Sequence, residues 1–189
     1  MPHSRWNTLA RKKAFKHGKW IEVDLHTVQL PDGQMIQDWP WVKTPDFINV
    51  LPVTDHGEIL CFRQMKYAFE RPGLAPIGGY IEIGEEPLFA AQRELLEETG
   101  YQAKLWTHLY SGWMDPNRGV ARGHLFLAEG AFQVSAPNAD DLEEQELLFL
   151  TKDKIWIALA AGEFQVIAWA LNVAMGMRVL ETRQLNSGE

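Results

Sequence analysis

Apolar and polar residues trade places in short runs along most of this chain, and only a few stretches keep the three-to-four spacing of a helix. From Trp20, Ile21, Val23 and Leu25 alternate with Glu22, Asp24 and His26, which predicts a half-buried strand. Pro31-Asp32-Gly33 is a turn signal, so residues 34–42 are expected to return as a second strand. Residues 47–54 and 58–65 form another predicted pair, joined by the Asp55-His56-Gly57 turn. Pro87 suits the first turn of a helix, which should end near Thr99 against a left-handed Gly100. Leu88 and Leu95, seven apart, predict its core-facing stripe, widened by Phe89 and Leu96. Residues 102–113 and 120–128 read as extended, with a loop over 115–119 between them. An acidic loop at 136–144 leads to a strand near 146–150. Thr151 then caps a helix to Ala161, Gly162 breaks it, and a long apolar-faced helix is expected over 164–180. The first 18 residues are polar, basic and irregular, and read as a loosely ordered lead.

Strands first, one helix in the middle and two at the end make the fold class α+β. A length of 189 residues suits one domain with an additional arm. The N-terminal strands are too apolar to stand alone, so the expected division is an arm over 1–45 and a main domain over 46–189. Composition is ordinary for a globular protein, at 46% apolar and 23% charged. A formal charge of −7, with no basic stripe, argues against a nucleic-acid partner. The basic cluster Arg11-Lys12-Lys13 with Lys16 and Lys19 reads as a solvated segment. Cys61 is the sole cysteine, which excludes an internal disulfide and points to a reducing compartment. Its apolar surroundings suit a buried small hydrophobe better than a nucleophile. No apolar run reaches the length of about 18 residues needed to span a bilayer, and no signal-peptide pattern opens the chain. The expectation is a cytoplasmic protein with no membrane partner.

The chemistry concentrates in residues 79–101, GYIEIGEEPLFAAQRELLEETGY. On a helix, Glu94, Glu97 and Glu98 fall within an arc of about 100° and share a face. Like charges at that spacing, close to a helix C-terminus, cost stability. A bound hard cation reverses that cost, and carboxylate oxygens are what Mg²⁺ prefers. The bland alternative is an amphipathic helix with a solvated acidic face. Arg93 is the one cation among these glutamates and can pair with Glu85 to lock loop onto helix, a fork that lysine would supply poorly. Gly78-Gly79 permits a tight backbone path that can aim the Gly78 carbonyl at a metal.

The stretch resembles the signature of the Nudix hydrolases, G-x5-E-x7-R-E-U-x-E-E-x-G-U. Gly79, Glu85, Arg93, Glu94, Leu95, Glu97, Glu98 and Gly100 match it, and Tyr101 replaces the final aliphatic residue. Tyrosine there is similar to the ADP-ribose and nucleotide-sugar pyrophosphatases of that family. The resemblance implies an α/β/α sandwich around a mixed sheet and metal-dependent hydrolysis of a nucleoside diphosphate linked to another group. It makes Glu94, Glu97, Glu98 and the Gly78 carbonyl the expected ligands for Mg²⁺ or Mn²⁺, and Glu85 with Arg93 the structural pair. It also implies a homodimer in which the N-terminal strands exchange between protomers.

Three further features bear on substrate. Residues 59–67, ILCFRQMKY, resemble a segment of the ADP-ribose group, with Lys66 in place of the usual arginine. Pro116 falls where that group carries a proline, which makes Arg118 a candidate sugar or phosphate contact; a proline-nucleated surface turn is the other reading. In the acidic loop, Glu143 is the first candidate for a general base and Glu144 the second, with Glu94 or Glu97 as an alternative base on the helix itself. Of eight tryptophans, Trp39 and Trp41 are the candidates for stacking on adenine, against the commoner fate of a core residue. No histidine pair shows helical zinc spacing. The expected substrate is ADP-ribose or a related nucleoside diphosphate sugar. The rivals are another nucleotide substrate (a GDP-sugar, dinucleoside polyphosphate or oxidised nucleotide) and a non-catalytic nucleotide sensor.

Overall fold

The alternation at 21–26 is realised as a strand, but it has a partner the periodicity did not announce. A computed structural model describes residues 5–138 and 144–187, and β1 (Asn7–His17) lies within the stretch expected to be a loose lead. It pairs antiparallel with β2 (Ile21–Gln29), which pairs in turn with β3 (Met35–Lys43), giving the order β1-β2-β3. Every residue of β1 is exposed, so backbone pairing holds it rather than a buried face. Two of its lysines, Lys13 and Lys16, also have a partner. Glu22 accepts from Lys43 at 2.7 Å and meets Lys13 at 3.1 Å and Lys16 at 3.6 Å. Hydrogen bonds from Lys43, then Lys13, pull the Glu22 carboxyl down to about 2.

These strands belong to one of two compact units, which runs through Asp46 and takes in Gly112–Arg122. Within it, Val42 N–H donates to Arg118 O at 2.7 Å, and Arg122 N–H donates to Asp46 Oδ1 at 2.6 Å.

The second unit comprises Phe47–Ser111 and Gly123–Glu189. Its strands are β4 (Phe47–Thr54), β5 (Ile59–Gln64), β6 (Gly73–Ala75), β7 (Ile77–Tyr80) and β8 (Tyr101–Gln102). They are joined by β9 (Leu105–Asp115), β10 (Val120–Gln133) and β11 (Gln145–Leu150). The sheet runs β11-β5-β4-β10-β8, with β6 against β5, β7 against β4 and β9 against β10. β10 lies parallel to β4 and the remaining registered pairs are antiparallel, so the sheet is mixed.

β4 is buried from Ile48 through Val53 because helices cover both faces. On one side Ile48 and Val50 join Ile77, Phe126 and Ala128 beneath α1 (Pro87–Thr99). On the other, Leu51 and Val53 join Cys61 and Leu127 beneath α2 (Lys152–Ala160) and α3 (Ile167–Ser187). The fold is therefore α+β with an α/β/α sandwich, as expected. Thr151 caps α2 by accepting from Lys154 N–H at 3.4 Å, and Gly162 turns the chain at φ 69°. The terminal helix starts later than expected, since buried Phe164 precedes it. Cys61 is fully buried, which pushes its thiol up to about 12.

The expected stripe of α1 needs correction. Its buried residues are Ala90, Ala91, Leu95 and Thr99, whereas Leu88 and Phe89 are exposed. Small side chains let the helix pack closely on β4 and β7, and the Gly78-Gly79 pair of β7 adds no bulk. Among the described residues, no helix is long and apolar enough to cross a membrane.

Candidate active site

β7 delivers the two glycines, and α1 delivers the acids. Gly79 lies opposite Ile48 and Gly78 opposite Asn49 in the β4–β7 pairing. The loop after β7 turns at Gly84, φ 82°, and Pro87 opens α1. At the far end Gly100 adopts φ 73° and its N–H donates to Leu96 O, which stops the helix just past Glu97 and Glu98.

Glycine is required at 79 for space. A Cβ there would overlap the carboxylate of Glu94, which therefore rests directly against the β7 backbone. At 78 a Cβ would come within 2.6 Å of Asn49 Oδ1 and 2.9 Å of Ile48 O. Asn49 was not anticipated as part of this site. It is buried directly across from Gly78, and no motif marks it.

Arg93 organises the acids. Its Nε donates to Glu85 Oε1 at 2.9 Å and its Nη2 to Glu85 Oε2 at 3.0 Å, the two-pronged geometry that only a guanidinium offers. Nη2 also donates to Tyr80 O at 3.1 Å, tying helix to strand. Glu85 Oε2 accepts a further bond from Glu82 N–H at 3.0 Å. The hydrogen bonds from Arg93 hold the Glu85 carboxyl below its ordinary value against the opposing pull of partial burial, and Glu85 in turn raises Arg93. The guanidinium does more than the expected lock. Nη1 donates to Glu94 Oε1 at 2.8 Å and to Glu97 Oε2 at 3.1 Å, so protein charge already tempers the acidic face.

The donor set suits a hard divalent cation in a particular way. Glu94, Glu97 and Glu98 offer carboxylate oxygens from one face of α1, and Glu98 Oε2 is buried. Among the described residues, no three Asp, Glu, His or Cys side chains close around a single point. Carboxylate oxygens are the donors that hard divalent cations prefer.

The other anticipated residues fall in two places. Lys66 is half-buried just beyond the end of β5, and exposed Glu144 immediately precedes β11. Because Gln64 opposes Gln145, the two leave the sheet at the same edge. Glu143 lies outside the described residues. Trp39, Trp41 and Arg118 come together in the first unit. Trp39 Nε1 donates to Asn117 O at 2.8 Å, its ring meets Trp6 edge-on at 5.2 Å, and the Arg118 guanidinium lies 5.9 Å from it. Trp41 stacks on His26 at 5.4 Å and packs against Gly119, where a side chain would collide with it. The 115–119 loop is a hydrogen-bonded turn. Asp115 accepts from the Asn117 and Arg118 N–H groups and pairs with the Arg118 side chain at 3.0 Å, which lowers the Asp115 carboxyl.

The chain is similar to known proteins in sequence and in fold. Residues 42–170 match the NUDIX domain model. The chain is 38% identical over 122 residues to an ADP-ribose pyrophosphatase of Bacillus subtilis, a match covering 65% of each chain and so just under two thirds of that relative. It is 29% identical over 171 residues to an ADP-sugar pyrophosphatase of Mus musculus, covering 79% of this chain and 76% of that one. A crystal structure described as an ADP compounds hydrolase superposes with a TM-score of 0.80 at 17% identity, covering 97% of this chain and 98% of that one, a likeness of fold. The matched domain spans most of the chain and contains both the glycine pair and the acidic helix, so the chain belongs to the NUDIX family.

Proposed function

We propose that this chain hydrolyses the pyrophosphate bond of ADP-ribose or a related nucleoside diphosphate sugar, releasing AMP (or another nucleoside monophosphate) and a sugar phosphate. One observation carries the reading. Arg93 locks Glu85 to the β7 backbone while Glu94, Glu97 and Glu98 remain ranged along one face of α1 behind Gly78-Gly79. The two pyrophosphatase relatives support the substrate class.

Nudix hydrolases generally use divalent metal ions, and Mg²⁺ or Mn²⁺ is proposed here. Glu94, Glu97, Glu98 and the Gly78 carbonyl would hold the ion. When bound, a divalent cation neutralises the diphosphate and acidifies water. The protein supplies the remainder. Gly79 sets where the Glu94 carboxylate rests, and Arg93 keeps Glu94 and Glu97 from repelling each other before substrate arrives. A carboxylate takes the proton of the attacking water: Glu143 or Glu144 from the acidic loop, or Glu94 or Glu97 from the helix. Lys66 and Arg118 are proposed to meet phosphate or sugar, and the base to stack on Trp39 once Trp6 or Arg118 gives way, or on Trp41 once His26 does. The N-terminal strands are proposed to pair two protomers, with the protein residing in the cytoplasm.

The test is product analysis across ADP-ribose, GDP-sugars, dinucleoside polyphosphates and oxidised nucleotides with added Mg²⁺. Clean release of AMP and ribose 5-phosphate is expected, and Glu98→Gln should lower turnover by orders of magnitude with the fold retained. Near-normal turnover by a folded Glu98→Gln protein would overturn the site assignment. Tight ADP-ribose binding without cleavage would replace the enzyme reading with that of a sensor. Sedimentation of an active monomer would remove the dimer.

A further inference from the structure

On the face of the sheet that α1 covers, one polar cluster interrupts an apolar surface. Ser111 Oγ lies 2.7 Å from His108 Nε2 and 2.8 Å from His124 Nδ1. Along β10, His124 alternates in phase with Phe126 and Ala128, both packed in the core beneath α1. Along β9, His108 is in phase with Trp106, which packs against that same core, and its ring meets Phe126 at 5.4 Å. Both imidazoles therefore rise on the α1 side of the sheet.

Register places the cluster relative to the acids. Gly79 of β7 opposes Ile48 of β4, and Ile48 opposes His124 of β10. The Glu94 carboxylate rests on Gly79, at one end of this row. His124 stands at the other end, two strand spacings or about 10 Å away.

The three groups have a definite chemical character. A serine hydroxyl holds one proton and here meets two ring nitrogens. If it donates to one imidazole, the other must donate to it. The cluster both gives and takes hydrogen bonds and carries no obligatory charge. A diphosphate is better matched by cations, whereas sugar hydroxyls, which themselves give and take, match such a set. We infer that His108, Ser111 and His124 form the subsite that reads the sugar hydroxyls of a nucleoside diphosphate sugar, with Ser111 and His124 as specificity-determining residues. The inference rests on the reaction proposed above.

The experiment is a cycle between enzyme and substrate. Steady-state kinetics would compare ADP-ribose with an analogue lacking the terminal ribose 2- and 3-hydroxyls, using the wild-type protein, Ser111→Ala and Ser111→Thr. Removing the substrate hydroxyls or the serine hydroxyl alone should each lower kcat/KM about five- to tenfold, chiefly through KM. Removing both should cost little more than either, and Ser111→Thr should restore discrimination. Equal losses on both substrates in Ser111→Ala would make the cluster a mere stitch between strands and overturn the inference. Should Ser111→Ala fail to fold, the wild-type comparison decides alone, because an analogue bound and cleaved as well as ADP-ribose refutes the subsite. A wild-type protein that cleaves no nucleoside diphosphate sugar sinks the parent reading, and this one with it.

Discussion

Replacing Gly79 by alanine separates the chemistry of the site from the stability of the fold. Gly79 has no positive φ, so its backbone accepts alanine without strain. The added methyl carbon would lie 2.5 Å from Glu94 Oε2 and closer still to the rest of that carboxylate. Ordinary contact begins at 3.4 Å, so the carboxylate must retreat by about 0.9 Å or more. The obstacle is the far end of a flexible side chain, so the fold can yield there cheaply. The lower chain entropy of alanine in the unfolded state also offsets part of the cost, by about 0.4–1 kcal/mol. A misplacement of about 1 Å in a catalytic constellation costs on the order of 100-fold in rate. The expected protein thus melts within a few degrees of wild type but turns over ADP-ribose roughly 100-fold more slowly and binds Mn²⁺ more weakly. Thermal denaturation, paramagnetic Mn²⁺ titration and product release would be measured on the same preparation. A Gly79→Ala protein with wild-type turnover and Mn²⁺ affinity would refute the placement of Glu94, and an unfolded one would refute the claim that only a flexible side chain stands in the way.

Three other perturbations have defined outcomes. Arg93→Ala removes the guanidinium partner of Glu85 and Glu94, both mostly buried, and should destabilise the fold by about 3 kcal/mol, the lower end for breaking a buried pair, in urea denaturation at pH 7. The folded-state pKa of Glu85 is lowered, so its contribution is complete above the unfolded value of about 4.3 and is lost as pH falls through the lower folded value. The gap between wild type and Arg93→Ala should accordingly narrow below about pH 4, and a gap constant down to pH 2 would show that Glu85 is not the partner that matters. Cys61 should resist thiol reagents in the native protein and react only on unfolding, because it is fully buried with its thiol pushed up to about 12; rapid native labelling would contradict that burial. Gly78→Ala, unlike Gly79→Ala, meets the backbone oxygen of Ile48 at 2.9 Å and should lower the melting temperature measurably.

Much of the fold was legible because its elements announce themselves by period and punctuation. The 47–54 strand, the Asp55-His56-Gly57 turn and the helix from Pro87 to Gly100 all appear where spacing put them. β1 was not legible, since a strand with every side chain exposed has no alternation to read and pairs with β2 through its backbone. Leu88 and Phe89 misled because hydrophobicity was weighed without size: the face that packs against two glycine-bearing strand positions takes alanines. In the site, the Glu85–Arg93 pair could be read from spacing, but the reach of Arg93 to Glu94 and Glu97 depends on rotamers that spacing does not encode. Crowded carboxylates were expected to need a cation, and part of that need is met within the chain. Asn49, His108, Ser111 and His124 carry no linear signal, because strand register alone assembles them.

Beyond β10 the chain does not simply leave the sheet. Val134 and Ser135 N–H groups both donate to Gly100 O, at 2.9 and 3.2 Å, and Asn138 N–H donates to Glu97 O at 2.8 Å. The last turn of the acidic helix thus serves as a mooring for the stretch that follows. A substitution that shifts Val134, Ser135 or Asn138 would therefore be felt at the end of α1 that carries Glu97 and Glu98.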